Sequence, residues 1–177
     1  VTATPRPVAT VSLTPDSTGV FVGATTTLRA ALLDAAGDTI RQRTATFSSV
    51  DTTIATVSSA GVVTGVRVGT ATIVATREEE ADTSRVTVTL RPVNTVTVAP
   101  ADTTVRVGNN VQLTATLRAA NNAVLTGRTV TWASSDTTIA TVNGSGRVTG
   151  VAASDEFVTI TATSEGKSGS ARVIVVP

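Results

Sequence analysis

Residues 44–66 read TATFSSVDTTIATVSSAGVVTGV, and residues 129–151 read TVTWASSDTTIATVNGSGRVTGV. They are one pattern written twice at a shift of 85 positions (129 against 44). Outward from this stretch the match continues. VATVSLTP from Val8 answers VNTVTVAP from Val93, and VFVG from Val20 answers VRVG from Val105. Residues 8–68 superimpose on 93–153 with nearly half of the pairs identical, and two extra residues near Asp155 and Glu156 move the shift to 87 thereafter. A repeat this long means two copies of one small domain. Features common to both copies therefore read as scaffold, and a special role is expected where the copies differ.

Within each copy the apolar residues alternate with a period of two, the pattern of a half-buried strand. In copy one Val11 and Leu13 alternate before Pro15, and Val20 and Val22 before Gly23. Leu28, Ala30 and Leu32 follow, then shorter runs around Phe47, Ile54, Val63, Ile73 and Val86. Copy two repeats the set from Val96 to Val175. This predicts seven or eight short strands per copy, at the spacing of an antiparallel sandwich. Gly61 and Gly146 sit in small-residue tetrads that suit hairpin turns of positive φ. Asp51 and Asp136 open DTT turns whose backbone N–H groups they can bond.

These residues carry a resemblance. The order V-x-V-x-P, VG, LxAxL, [FW]-[AS]-S-x-DTTIATV, G-x-V-T-G and a closing TIxAT with V-x-V resembles the bacterial immunoglobulin-like domain of group 2 over both copies. The resemblance implies two tandem antiparallel Ig-like β-sandwiches, all-β. It also implies the settings in which such domains commonly stand in series, on secreted or cell-surface bacterial proteins such as the stalks of intimin-like adhesins. It implies no ligand, because a fold alone does not fix a function. The expected domains are 1–92, with residues 1–7 as an extended N-terminal segment, and 93–177.

Composition narrows the function classes. The chain has 37 Thr and 29 Val among 177 residues, β-branched types that favour sheet over helix. Its net charge is +1, and its basic residues are scattered, which argues against nucleic acid and anionic membrane surfaces as partners. No apolar run approaches the roughly 20 residues of a membrane span, so direct insertion by this segment is not expected. No signal peptide is expected either, and the chain reads as a mature form or a piece of something longer. With no Cys there are no disulfides or thiolate sites.

The link between copies falls at residues 91–94, where Pro92 fixes φ; so short a link predicts a stiff pair of domains. A broad spread of interdomain angles in small-angle scattering would refute that. The opening VTATPRP resembles the junction VTVTLRP. Two readings stand, the last strand of a preceding repeat or an extended tether to an upstream membrane anchor, with the tether favoured. Pairing of this strand with another molecule's sheet edge is a third.

Catalysis lacks its chemistry. There is no His, Cys or Tyr, and the sole Lys, Lys167, stands between Gly166 and Ser168 in a hairpin. No enzyme activity, cofactor or metal is therefore expected. Asp51 and Asp136 recur, but each offers one carboxylate where calcium wants several, so turn capping is the better account. Asn143, Gly144 and Ser145 match a glycosylation sequon and equally a hairpin turn.

Candidate contacts with a partner are the features unique to one copy. Glu78, Glu79 and Glu80 form the one acidic run, at a hairpin tip. Phe21 and Phe157 point outward by alternation. Phe47 and Trp132 occupy the third strand, where an Ig-like sandwich places its core aromatic, and Trp132→Ala is expected to cost about 3–5 kcal/mol. The expected function is a non-catalytic structural or spacer module outside the cytoplasm, in the periplasm or at the cell surface. The alternative is a binding module or accessory subunit docked on the outer face of an envelope or membrane protein complex. Its partners would be proteins, either neighbouring domains or that complex.

Overall fold

The computed structural model describes residues 6–177. Of the expected N-terminal segment 1–7, residues 1–5 lie outside the described residues. The chain divides into two compact units between Leu90 and Arg91.

The first unit has nine strands: β1 (Thr10–Thr14), β2 (Ser17–Phe21), β3 (Thr25–Thr27), β4 (Arg29–Leu33), β5 (Thr46–Ser49), β6 (Ala55–Val57), β7 (Val62–Gly65), β8 (Gly69–Arg77) and β9 (Glu80–Thr89). One layer has the order β2-β9-β8-β5, and the other is built from β1-β4 and β3-β7-β6. The second unit repeats this with β10 (Thr95–Ala99), β11 (Asp102–Arg106), β12 (Asn110–Gln112), β13 (Thr114–Arg118), a short added β14 (Val124–Leu125), β15 (Thr131–Ser134), β16 (Ala140–Val142), β17 (Arg147–Gly150), β18 (Val158–Ser164) and β19 (Lys167–Val176). Its layers are β11-β19-β18-β15 against β10-β13-β14 and β12-β17-β16. Both units are Ig-like sandwiches.

The alternation sets which side chains go inside. Ala71, Ile73 and Ala75 of β8 are buried, as are Ser84, Val86 and Val88 of β9, while the residues between them face outward. Because the side-chain period is two, a slip of one residue would turn each of these sets into water. Leu13, Leu28, Ile73 and Val86 centre the first core, and Leu113, Val148, Ile160 and Val173 the second.

Two features depart from a purely antiparallel reading of seven or eight strands. First, β2 pairs parallel to β9, and β11 parallel to β19. The chain leaves β1 in one layer, passes Pro15, and enters the other layer without reversing direction, so its new neighbour runs the same way. Pro15 and Pro100 follow the last residues of β1 and β10, where no ladder N–H is needed. The Thr14–Pro15 and Ala99–Pro100 peptide bonds are cis. Second, the strand expected through Leu28 is split there. Leu28 donates its N–H to the Gly61 carbonyl at the β6–β7 hairpin, so β3 stays with β7 while β4 continues alongside β1. Leu113 and Gly146 repeat the arrangement.

Candidate functional site

Each unit holds its own incoming chain segment with one arginine and one glutamate. In the first, Glu78 sits in the β8–β9 turn at φ 56° and accepts the Val8 N–H on Oε2 at 2.9 Å. Arg43 closes the set, pairing with Glu78 Oε1 at 2.7 Å and donating to the Arg6 carbonyl at 2.8 Å. In the second, Glu165 in the β18–β19 turn (φ 49°) accepts the Val93 N–H at 2.9 Å. Arg128 donates to the Arg91 carbonyl at 2.6 Å and lies 3.6 Å from Glu165. The Arg128 side chain is only 8% exposed and its Nε has no hydrogen-bond partner among the described residues, so Arg128 is the more buried of the two arginines and its ion pair the longer.

Sequence reasoning missed this clamp. It treated Glu78 as part of a charge run and did not single out Arg43, Arg128 or Glu165. The signal was present: Arg43 recurs at the shift of 85 and Glu78 at the shift of 87. The structure separates the members of the run. Glu78 bonds inside its own unit and Glu79 is exposed at the turn; Glu80 begins β9, half-buried. Beyond the run, Asp82 accepts the Leu13 N–H at 2.7 Å.

The recurring aspartates serve their own turns. Asp136 Oδ1 accepts both the N–H and the hydroxyl of Thr138, at 2.8 and 2.6 Å, and Asp51 accepts the same two groups from Thr53. The hydroxyl bond first, then the amide bond, stabilises the ionised form and holds each carboxyl below the ordinary carboxylate range. Among the described residues no three acidic side chains gather where they could share a metal ion.

Phe47 and Trp132 are half-buried and pack against the two cores from edge strands β5 and β15. Their rings lie over the hairpin glycines. A Cβ added to Gly146 would stand 2.7 Å from Trp132 Cζ2, and one added to Gly61 would stand 3.0 Å from Phe47 Cζ.

The two outward phenylalanines sit in different settings. Phe21, at the end of β2, is 37% exposed. Phe157, in the two-residue insertion, is 53% exposed. The Arg172 guanidinium lies 5.3 Å from the Phe157 ring centroid while its Nε bonds Asp102 at 2.6 Å. A shallow hollow lined by Thr104, Phe157, Arg172 and Ile174 results. Phe21 and the acidic run belong to the first unit and Phe157 to the second.

Tandem sandwiches of this topology, with recurring polar residues that brace their own turns and incoming segments, define an immunoglobulin-like repeat module. The Bacterial Ig-like domain (group 2) family matches residues 7–88 and 92–175, and the chain belongs to that family. It is 35% identical over 116 residues to ice-binding protein 1 of Shewanella frigidimarina, covering 65% of this chain and 13% of that protein. It is 37% identical over 92 residues to an alpha-L-arabinofuranosidase of Bifidobacterium longum subsp. longum, covering 51% and 9%. The chain thus spans about a tenth of the length of these curated relatives. Domains 4 and 5 of the S-layer protein SbsC are a structural neighbour at 26% identity and a TM-score of 0.48, covering 96% of this chain and 99% of that one.

Proposed function

We propose that this chain is a non-catalytic spacer of an extracytoplasmic bacterial protein, with domains 1–92 and 93–177 holding other parts of that protein at a set distance. The observation that carries the reading is the repeated use of the recurring polar residues. Arg43 with Glu78, and Arg128 with Glu165, brace backbone; Asp51 and Asp136 cap turns. Groups spent on their own scaffold are not poised for substrate. The small share of each curated relative that the chain spans supports a module carried within larger proteins.

The experiment is a replacement in the parent protein. Exchanging these residues for an unrelated tandem pair of Ig-like domains of equal length should preserve function, and deleting them should impair it. Loss of function on the equal-length exchange would reject a spacer.

The second reading is a docking subunit on the outer face of an envelope or membrane complex. The observation favouring it is Phe157, an exposed ring in an insertion that copy one lacks. Phe21→Ser together with Phe157→Ser should leave a spacer unaffected and release a docked subunit from its complex, read by native gel migration.

A further inference from the structure

Each unit takes in its chain at one end of its last strand and releases it at the other. In the first unit Val8 is bonded to Glu78, in the turn that leads into β9, and Leu90 follows the far end of β9. In the second, Val93 is bonded to Glu165, in the turn that leads into β19, and Pro177 follows the far end of β19. A pull on the two ends of a unit therefore runs along its last strand.

Tension entering the first unit reaches β1 and then, through Pro15, β2. Strand β1 is drawn lengthwise along β4, with which it makes five pairs. Strand β2 lies parallel to β9 in a register of five pairs, from Ser17 opposite Arg85 to Phe21 opposite Thr89. The ladder is extended at both ends, by the Arg85 N–H to the Asp16 carbonyl at 2.8 Å and by the Val22 N–H to the Thr89 carbonyl at 2.9 Å. In the second unit β11 runs parallel to β19 from Asp102 opposite Arg172 to Arg106 opposite Val176. Its ladder is extended by the Arg172 N–H to the Ala101 carbonyl at 2.8 Å and by the Val107 N–H to the Val176 carbonyl at 2.9 Å.

Parallel pairing decides how these ladders fail. Tension draws β2 back toward the entry and β9 toward the exit, so the two strands slide past each other. The bonds of a parallel ladder are evenly spaced between its strands, so sliding strains all of them together. Strand β9 is itself held by β8 over nine pairs, and β19 by β18 over seven, which leaves the shorter β2 and β11 ladders to give first.

We propose that each unit is built to carry tension between its ends, with the β2–β9 and β11–β19 ladders as the part that resists it. This deepens the spacer reading and rests on it, since a spacer pulled from both ends must hold its length. The resistance comes from the direction of loading. The Arg43–Glu78 and Arg128–Glu165 pairs set that direction by keeping the incoming backbone at the start of the last strand.

The test is optical-tweezers unfolding of the full chain. The chain has no Cys, so one introduced thiol places a handle at one chosen residue. With handles at the two termini both ladders are sheared. Phe21→Cys with a C-terminal handle moves the first unit's point of entry to the exposed end of β2, opposite Thr89 and beside the exit. Strand β2 is then peeled from β9 one bond after another, while the second unit is still sheared and serves as the reference. Forced unfolding is governed by the unfolding rate, which is that of the loaded path. The first unit is therefore expected to open at a several-fold lower force, recognised by its shorter extension, with the second unit's force unchanged. Arg106→Cys with a C-terminal handle peels β11 from β19 and should lower the second unit's force likewise. Urea midpoints should match wild type in both variants. A first-unit force that does not fall with Phe21→Cys, or a second-unit force that does not fall with Arg106→Cys, would overturn the proposal. So would a fall in force matched by a fall in the urea midpoint, because stability would then account for it. None of these readings depends on the parent protein, so the equal-length exchange tests the spacer separately.

Discussion

Glu165 accepts the Val93 N–H at 2.9 Å, and across the repeat Glu78 accepts the Val8 N–H at the same distance. A side chain in the last hairpin of each unit thus holds the backbone that leads into its first strand, across 72 and 70 residues of sequence. The segment through Arg91 and Val93 is in this way bonded to the second unit by Arg128 and Glu165.

Arg128→Ala removes the donor to the Arg91 carbonyl from a nearly buried position. Leaving such a carbonyl unmet costs about 1–3 kcal/mol. Urea unfolding followed by the fluorescence of Trp132, the only tryptophan, should show the second unit destabilised by that amount. Amide hydrogen exchange at Val93 and Asn94 should accelerate. An unchanged midpoint with unchanged exchange would show that the clamp contributes nothing.

Gly146 and Gly144 lie two residues apart in one hairpin and should respond very unequally to alanine. At Gly146, φ is +81°, and an added Cβ would stand 2.6 Å from the Leu113 carbonyl oxygen and 2.7 Å from the Trp132 ring. The backbone strain alone amounts to about 1–3 kcal/mol, and displacing the ring adds to it. At Gly144 nothing lies within 4 Å, so Gly144→Ala should stay within about 0.5 kcal/mol of wild type. Comparable effects at the two sites in thermal unfolding would contradict the packing described.

Ser84 is fully buried and donates its hydroxyl to the Pro15 carbonyl at 2.6 Å, whereas copy two has Ala171 at that place. Ser84→Ala should destabilise the first unit by about 1–2 kcal/mol by orphaning a carbonyl, and should leave the unfolding of the second unit unchanged. Calorimetry of the full chain can separate the two if they melt apart. A shift in the second unit's transition, or no shift in the first's, would refute the assignment.

Acid should weaken both units through their aspartate turns. The Thr138 hydroxyl and amide lower the folded pKa of Asp136, as those of Thr53 lower that of Asp51. A carboxylate depressed on folding contributes stability fully above its unfolded pKa of about 3.9, and that contribution is lost as pH falls through the folded value. Asp136→Asn should therefore flatten the second unit's loss of stability below pH ~4. Thr138→Val should raise the Asp136 pKa toward the ordinary range, visible by carboxyl-carbon NMR titration. A steep acid transition unchanged by Asp136→Asn would place the linkage elsewhere.

How far the chain could be read in one dimension differs from residue to residue. Val86 and Val88 are legible as interior because their alternation is local and the repeat supplies a second copy of it. Asp51 and Asp136 are legible as turn caps because their partners are two residues away. Glu78 is not, because its partners Arg43 and Val8 are distant in sequence, and an acidic run looks the same whether it is solvated or bonded. Gln112 gives no signal at all. It reads as one polar residue at a strand end, and only the fold brings its carboxamide to the Ser145 carbonyl, 33 residues on.

The amino-acid order by itself determined that the protein is two β-sandwiches of one family, since period-two burial, glycine at forced turns and duplication are all properties of neighbours along the chain. The tertiary structure alone decided that β2 and β11 cross to the opposite layer and pair in parallel, and that an arginine and a glutamate fasten each incoming segment. The reason is the range of the forces involved. A hydrogen bond acts over about 3 Å in space without regard to separation in sequence, so the partners of these polar groups exist only once the sheets have formed.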